Sequence, residues 1–277
     1  GKNIKLSRMF EVGQSAVFLR YFAGWTTKIQ GETISPSLPS MAGEKYSAMT
    51  FREPVGVVTG IIRWNLSVMI AIWKIGAALS TGCTIVLKPS EITPLTLLRL
   101  AEIAIEAGIP AGTINVVNGT GDIGQKLISH PDVAKVSFTG SVPTGLKVGA
   151  QAMSSGLTRV SLELGGKNAA ALLDDVNVDD AVTGLIQTGY VHQGQVCAAP
   201  ERVYVHRSRF DEVVSKMCER LSVLNISDPL DEEAHFGPLT SKAHFNKVMH
   251  FFTIAAEESQ ILFGGKAIAR AGYYVEP

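Results

Sequence analysis

From Val55 onward, short runs rich in β-branched residues alternate with helical patterns, and this alternation constrains the fold more than any other feature of the chain. The runs are VGVVTGII (55–62), TIVLK (84–88), INVV (114–117) and KVSF (135–138). The helical patterns that follow them cover Met69 to Leu79, Pro94 to Ala107, Gly121 to Ile128 and Val142 to Met153. Strand and helix taken in turn mark βαβ units around a parallel sheet. Turn chemistry falls at the joints, with Gly82 closing one helix, Ala107 to Pro110 closing another, and Gly140 separating a strand from its helix. After RVSLELGG (159–166) a second alternating set begins: NAAALL (168–173), a helix from Val178, RVYV (202–205) and an amphipathic helix from Ser208 to Leu224. The expected fold class is α/β, a Rossmann-like parallel sheet followed by a second α/β domain, with Gly165 and Gly166 at the joint. Ahead of the alternation, Glu32 to Ser37 and Tyr46 to Arg52 read as the arms of a hairpin around a Ser/Pro/Gly-rich turn, suited to packing between subunits.

A length of 277 residues is expected to make about two domains. Lysine plus arginine and aspartate plus glutamate balance at 25 each, so no global field draws the chain to nucleic acid or to an anionic membrane. A small, locally recognised ligand is expected instead. The longest apolar stretch, Leu66 to Leu79, carries Lys74 in its middle and is too short to cross a hydrocarbon layer of roughly 30 Å. It reads as a buried helix. Cys83, Cys197 and Cys218 lie far apart with no C-x-x-C pair, which suits a reducing, cytoplasmic setting rather than a disulfide framework. The first residues do not read as a basic, apolar and small-residue signal sequence, and because both ends look cut an upstream targeting segment stays an open alternative. There is no internal repeat and no low-complexity tract.

Several segments carry possible chemistry. Gly119 to Gly124 fits G-x-G-x-x-G between a strand and a helix, but nothing acidic lies between Asp132 and Glu163, where the ribose-binding acid should stand. Tight-turn glycines explain it as well as a dinucleotide does. Phe138-Thr139-Gly140-Ser141, with Gly145 beyond, is a strand-to-helix turn equally suited to anion binding and to ordinary serine capping. Lys88-Pro89-Ser90-Glu91 ends a strand where open parallel sheets gather ligands; a solvated edge is the plainer alternative. Cys197 lies in a stretch without apolar periodicity and looks the most exposed of the three thiols, whereas Cys83 and Cys218 read as small core hydrophobes. Glu163 is an acid within an apolar strand, either ion-paired or a base with a raised pKa. The histidines form no ligand set, so no metal is expected.

Taken together, Trp64-Asn65, Lys88-Pro89-Ser90-Glu91, Phe138-Thr139-Gly140-Ser141 with Gly145, Glu163-Leu164-Gly165-Gly166-Lys167 and Gly194-Gln195-Val196-Cys197 resemble the aldehyde dehydrogenase superfamily from end to end of the chain. The stretches HQGQVCAAPERVYVHRSRF, SFTGSVPTG and WKIGAALSTGCTIVLKPSE resemble those bacterial members that act on phenylacetaldehyde. The resemblance implies an NAD-dependent oxidation of an aldehyde to its acid, with NADP less favoured, through a thiohemiacetal and a thioester on Cys197. It implies Asn65 as oxyanion donor and Glu163 as general base. It places Ile61, Ile62, Trp64, Lys88, Ser90, Glu91, Gly121, Gly124, Phe138, Gly140, Ser141, Gly145 and Leu164 at the cofactor, with Gly121 and Gly124 on the adenine side. It also implies that Leu66, Ile70, Trp73, Val191, Val196 and Ala198 line the aldehyde channel.

The resemblance further implies a homodimer or homotetramer and three segments. These are a partial amino-terminal segment (1–53) with an oligomerisation hairpin at 32–53, a dinucleotide-binding domain (54–165) and a catalytic domain (166–277). Two departures stand out. Arg63 occupies the place usually held by proline before Trp64-Asn65, and the chain stops before the family's E-x-F-G-P motif. On these grounds the expectation is a piece cut at both ends. The alternatives are a betaine-type or other aldehyde dehydrogenase, a non-redox cysteine acyltransferase or esterase, and an inactive dinucleotide-binding fragment.

Overall fold

The computed structural model describes residues 1–277, which group into two compact units: Gly13–Leu164, and Gly165–Pro277 together with Gly1–Val12. The latter unit opens with α1 (Ile4–Leu6) and a wide helical turn over Ser7–Val12. Asn3 caps α1, its side-chain oxygen accepting from the Leu6 N–H at 2.7 Å.

The unit Gly13–Leu164 begins with α2 (Gly13–Ala23) and the short strands β1 (Thr33–Ile34) and β2 (Ala48–Met49), paired antiparallel. The expected hairpin is therefore present, but only two residues of each arm are paired. Between them the Glu44 carboxylate gathers the N–H groups of Met41 and Ala42 at 3.1 and 2.9 Å, so a side chain rather than a ladder shapes the turn.

Then follow β3 (Val57–Ile61), α3 (Ser67–Ser80), β4 (Thr84–Lys88), α4 (Leu95–Glu106) and β5 (Ile114–Val116). The unit ends with α5 (Gly121–Ile128), β6 (Val133–Thr139), α6 (Val142–Gly156) and β7 (Arg159–Glu163). The five strands β3 to β7 form one sheet in the order β5-β4-β3-β6-β7, every neighbouring pair parallel. The winding reverses between β3 and β6, which makes a doubly wound sheet with a switch point there. β3 lies at the centre, and its residues Val58, Thr59 and Gly60 are buried, as a strand covered on both faces requires. On α3, Met69, Ile70, Ala71, Ile72, Ile75 and Ala78 are all buried, which is why its sequence is apolar nearly all round.

The unit containing Gly165–Pro277 pairs β8 (Asn168–Leu172) with β9 (Pro200–Val205) in parallel, joined through α7 (Val178–Gly189). Asn177 caps α7, accepting from the N–H groups of Asp179 and Asp180 at 3.0 and 3.3 Å. Two helices complete it, α8 (Phe210–Ser222) and α9 (Lys242–Glu258). Its core joins Val178 and Val182 of α7 to Val213 of α8.

The sequence pattern puts Cys218 with Phe210, Val214, Met217 and Leu221 on one inward face of α8, and the structure differs. Val213 and Leu221 are buried and Met217 packs with them, a stripe spaced by four residues, whereas Phe210 is exposed and Cys218 is only half-buried. Phe210 lies on the side of this stripe by helical spacing but is the first residue of the helix, and it is exposed there. No helix is long and apolar enough to cross a membrane.

Candidate active site

The register of the parallel sheet brings distant residues to one edge. Ile61 lies beside both Lys88 and Phe138, and Thr139 lies beside Glu163, all at the carboxyl ends of their strands. This is the side, and β3/β6 the place, where open parallel sheets bind ligands. Lys88 is buried rather than solvated. A Cβ on Gly124 would stand 3.6 Å from the Lys88 Cδ and 3.8 Å from the Ile61 Cδ1, so the lysine stem runs across the bare glycine of α5. Its ammonium donates to the Pro89 carbonyl at 3.2 Å and lies 4.0 Å from the exposed Glu91 carboxylate. The buried Ile62 is tied to the same strand end, its N–H donating to the Lys88 carbonyl at 2.9 Å. Gly121, which opens α5, has no heavy atom within 4 Å of where its Cβ would be. Ser90 is half-buried beside the Lys88–Glu91 pair.

A second group forms at the start of α6. Ser141 caps the helix, accepting from the Thr144 N–H at 3.4 Å, and the Gly140 N–H donates to the Glu163 carbonyl at 3.0 Å. A Cβ on Gly145 would fall 2.5 Å from the Leu164 Cδ2, and one on Gly140 would fall 2.3 Å from the Phe138 ring. The helix start is thus kept bare by the side chains packed on it.

The third group surrounds the turn from β3 to α3. Asn65 is fully buried there, with Leu66 and Ile70 behind it, while Trp73 is exposed and meets Phe18 edge-on at 5.5 Å. Arg63 stacks its guanidinium over the Trp64 ring at 5.5 Å, so the cation in place of proline is held by its neighbour.

Two expectations need correction. Glu163 is exposed, not enclosed, because it is the last residue of β7, the strand at the sheet edge. The cost of burying its charge therefore does not arise. Nor does exposure single out Cys197: both Cys197 and Cys218 are half-buried, and the Cys218 thiol lies 3.9 Å from the Leu262 carbonyl oxygen. Cys83 is buried as expected.

A second buried lysine of this unit is Lys74, which the sequence shows only as an interruption in an apolar helix. Its ammonium donates to the Ser137 hydroxyl at 2.8 Å. Burial lowers its pKa to about 8, the Glu163 carboxylate pulling it back up and Lys135 adding to the fall. A lysine held below its ordinary value of 10.5 weakens the fold while it is charged. That cost is fully present below pH about 8, fades as pH rises, and is gone above about 10.5. The shift corresponds to about 3 kcal/mol, from which loss of the Ser137 partner must be subtracted. Lys74→Met is expected to stabilise the protein by about 2 kcal/mol at pH 7 and by less at pH 9.5. Urea melts at the two pH values check this; a gain that grew with pH would contradict it.

In the other unit, Cys197 follows a tightly wound segment. His192, Gln193 and Gly194 have φ of 52°, 56° and 69°, three left-handed residues in a row, two of them with side chains. The Gln195 side-chain amide donates to the His192 carbonyl at 3.0 Å and to the Gln193 Oε1 at 3.1 Å. His192 is buried, which with nearby Lys2 lowers its pKa to about 3, so its ring is neutral. Its Nδ1 lies 3.0 Å from the Gln193 Oε1 and can donate to it. Cys197 itself sits in a turn closed by the Ala199 N–H donating to the Val196 carbonyl at 3.2 Å. The Asn168 amide donates to the carbonyls of Cys197 and Ala199 at 2.6 and 3.1 Å. Neither Asn168 nor the left-handed pair was singled out by the sequence; a run of polar residues around Gly194 is the only local signal. Val196 is half-buried and Ala198 exposed on the same turn. Val191 lines a cavity of about 410 Å³ together with Leu6, Phe10, Ile186, Leu224 and Phe236.

The profile of the aldehyde dehydrogenase family matches residues 1–277. A Pseudomonas fluorescens protein named phenylacetaldehyde dehydrogenase is 44% identical over 280 residues, covering 100% of this chain and 56% of that protein. The structure of a Bacillus cereus aldehyde dehydrogenase in complex with NAD+ superposes with a TM-score of 0.94 at 39% identity, over 100% of this chain and 55% of that one. A betaine aldehyde dehydrogenase variant from Staphylococcus aureus, also in complex with NAD+, gives 0.92 at 37% identity, over 100% and 56%. The chain thus spans about half the length of these relatives. On sequence and fold alike, this chain belongs to the aldehyde dehydrogenase family.

Proposed function

We propose that the protein oxidises an aldehyde to its carboxylic acid with NAD, through a thiohemiacetal and a thioester on Cys197. The observation that carries this reading is the convergence of Ile61, Lys88, Phe138 and Glu163 on the carboxyl edge of a doubly wound sheet at its switch point. The residues at that edge fit a dinucleotide. Two helix starts, at Gly121 and Ser141, offer backbone N–H groups and a favourable dipole to phosphate. The glycines at 140 and 145 let Phe138 and Leu164 pack directly on the helix start, giving it an apolar wall beside its N–H groups. Lys88, Ser90 and Glu91 would hold the adenosine ribose, with Gly124 beside them and Ile61, Ile62 and Trp64 along the strand end. Glu91, an exposed anion, should repel a 2′-phosphate and favour NAD over NADP.

When bound, the dinucleotide supplies a hydride acceptor. The protein's own groups do the rest. The Cys197 thiolate adds to the carbonyl carbon, and the Asn65 amide with the Cys197 backbone N–H donates to the oxyanion. Glu163 takes a proton from the water that releases the acid, a role open to an exposed carboxylate. In this reading residues 54–165 bind dinucleotide and 166–277 carry catalysis. Residues 1–53, with the hairpin at 32–53, join subunits of a homodimer or homotetramer, and the cytoplasm is the setting that suits three free thiols.

The favoured substrate is an arylacetaldehyde, in keeping with the name of the Pseudomonas fluorescens relative. The residues that the family resemblance implies for the aldehyde channel, Leu66, Ile70, Trp73, Val191, Val196 and Ala198, are all apolar, with no acid among them to hold a cationic head. An aldehyde panel with NAD tests this: phenylacetaldehyde should exceed acetaldehyde and betaine aldehyde in kcat/KM, read as reduced nicotinamide. Equal use of betaine aldehyde would overturn the substrate, and acid release without cofactor reduction would overturn the reaction. Glu163→Gln should show a burst of reduced cofactor followed by a steady rate about 10²-fold or more below wild type. A normal steady rate would remove Glu163 as the base.

A further inference from the structure

We infer that Asn168 is a positioning residue for Cys197, its side-chain amide fixing the backbone of the turn that presents the thiol; this rests on the proposed role of Cys197 as nucleophile. Both hydrogens of the amide are engaged, one on the Cys197 carbonyl at 2.6 Å and one on the Ala199 carbonyl at 3.1 Å. The reason lies in the ladder between β8 and β9. Asn168 is paired with Pro200, which has no N–H to give, and the register shifts between Asn168 and Ala169. At this corner the regular ladder is interrupted: the Arg202 guanidinium donates to the Lys167 carbonyl at 2.7 Å, and the Asn168 side chain holds the Cys197 and Ala199 carbonyls of the incoming segment.

The consequence falls on the nucleophile. The turn is closed by the Ala199 N–H on the Val196 carbonyl at 3.2 Å, and the segment before it is held by the Gln193 and Gln195 side chains. With the Cys197 carbonyl held as well, the remaining freedom of the sulfur is chiefly its χ1 rotation. Gly166 makes the approach possible, because a Cβ there would fall 2.3 Å from the Cys197 carbonyl oxygen and 2.6 Å from the Asn168 amide nitrogen. Asn168→Asp keeps the shape but sets an acceptor against two carbonyl oxygens. Asn168→Ala removes the donors, and Asn168→Ser keeps one.

The test is alkylation of the intact protein by iodoacetamide, with modified cysteines read by peptide mass spectrometry across pH. Cys218, half-buried in the same unit, is the internal reference. In the wild type Cys197 should react about tenfold or more faster than Cys218. Asn168→Asp and Asn168→Ala should each slow Cys197 by about tenfold and displace its pH profile, with Asn168→Ser between them and the wild type. Cys218 should stay within about twofold throughout. In turnover, kcat should fall in the same order while the KM for NAD holds. Wild-type rates at Cys197 in the Asp and Ala variants would overturn the positioning role while leaving the nucleophile in place. Faster labelling of both thiols, in the Ser variant as well, would show a merely structural role and also overturn it. A wild-type Cys197 no faster than Cys218 would instead remove the nucleophile, and the inference with it.

Discussion

Alanine at Cys197 is expected to lower aldehyde oxidation by about four orders of magnitude, because removing the group that bears the covalent intermediate removes the reaction path rather than one contact along it. Dinucleotide affinity should stay within about twofold of wild type, since the residues assigned to the cofactor are all drawn from the doubly wound sheet and its loops. Stopped-flow measurement of reduced nicotinamide, with cofactor binding followed separately by fluorescence, checks both halves. A variant that kept a tenth of the activity would show that another nucleophile works here.

The second large effect concerns Gly166. A Cβ at this position meets a backbone carbonyl oxygen at 2.3 Å and a hydrogen-bonded amide at 2.6 Å, neither of which is the loose end of a side chain. One of them must move, and both belong to the support of Cys197. Gly166→Ala is therefore expected to cost about 1–3 kcal/mol of stability and to lower kcat by about 10²-fold. Its neighbour provides the control: Gly165 has nothing within 4 Å of its would-be Cβ, so Gly165→Ala should be close to silent. Urea melts and steady-state kinetics on the pair decide the matter. Equal behaviour of the two variants would contradict the argument.

The architecture was legible because βαβ alternation is a local property repeated along the chain. The strand expected at TIVLK is β4 to the residue, and the helix expected over Gly121 to Ile128 is α5. Parallel pairing then places Lys88 and Ile61 together without any further information. What stayed hidden depends on long-range geometry. The exposure of Glu163 follows from β7 being an edge strand, which no apolar run around it reveals. Phe210 is exposed and Cys218 half-buried on α8 because burial depends on what each turn of a helix packs against, which helical spacing alone does not encode. The Asn168 contacts arise from a register shift opposite a proline, a relation across thirty-odd residues that periodicity does not encode.

Because every strand of the large sheet runs the same way, the connections divide into two sorts. Those leaving strand ends carry the candidate chemistry. Those returning to strand starts, Thr81–Cys83, Ala107–Thr113, Ser129–Asp132 and Leu157–Thr158, lie at the opposite edge. Gly108 and Gly112, in the longest of these, have open space where a Cβ would stand. Within the sheet unit there is therefore an edge at which the chain can be lengthened or labelled away from the candidate site. A fluorophore or affinity peptide spliced between Gly108 and Gly112 would report on the protein from the edge opposite the candidate site.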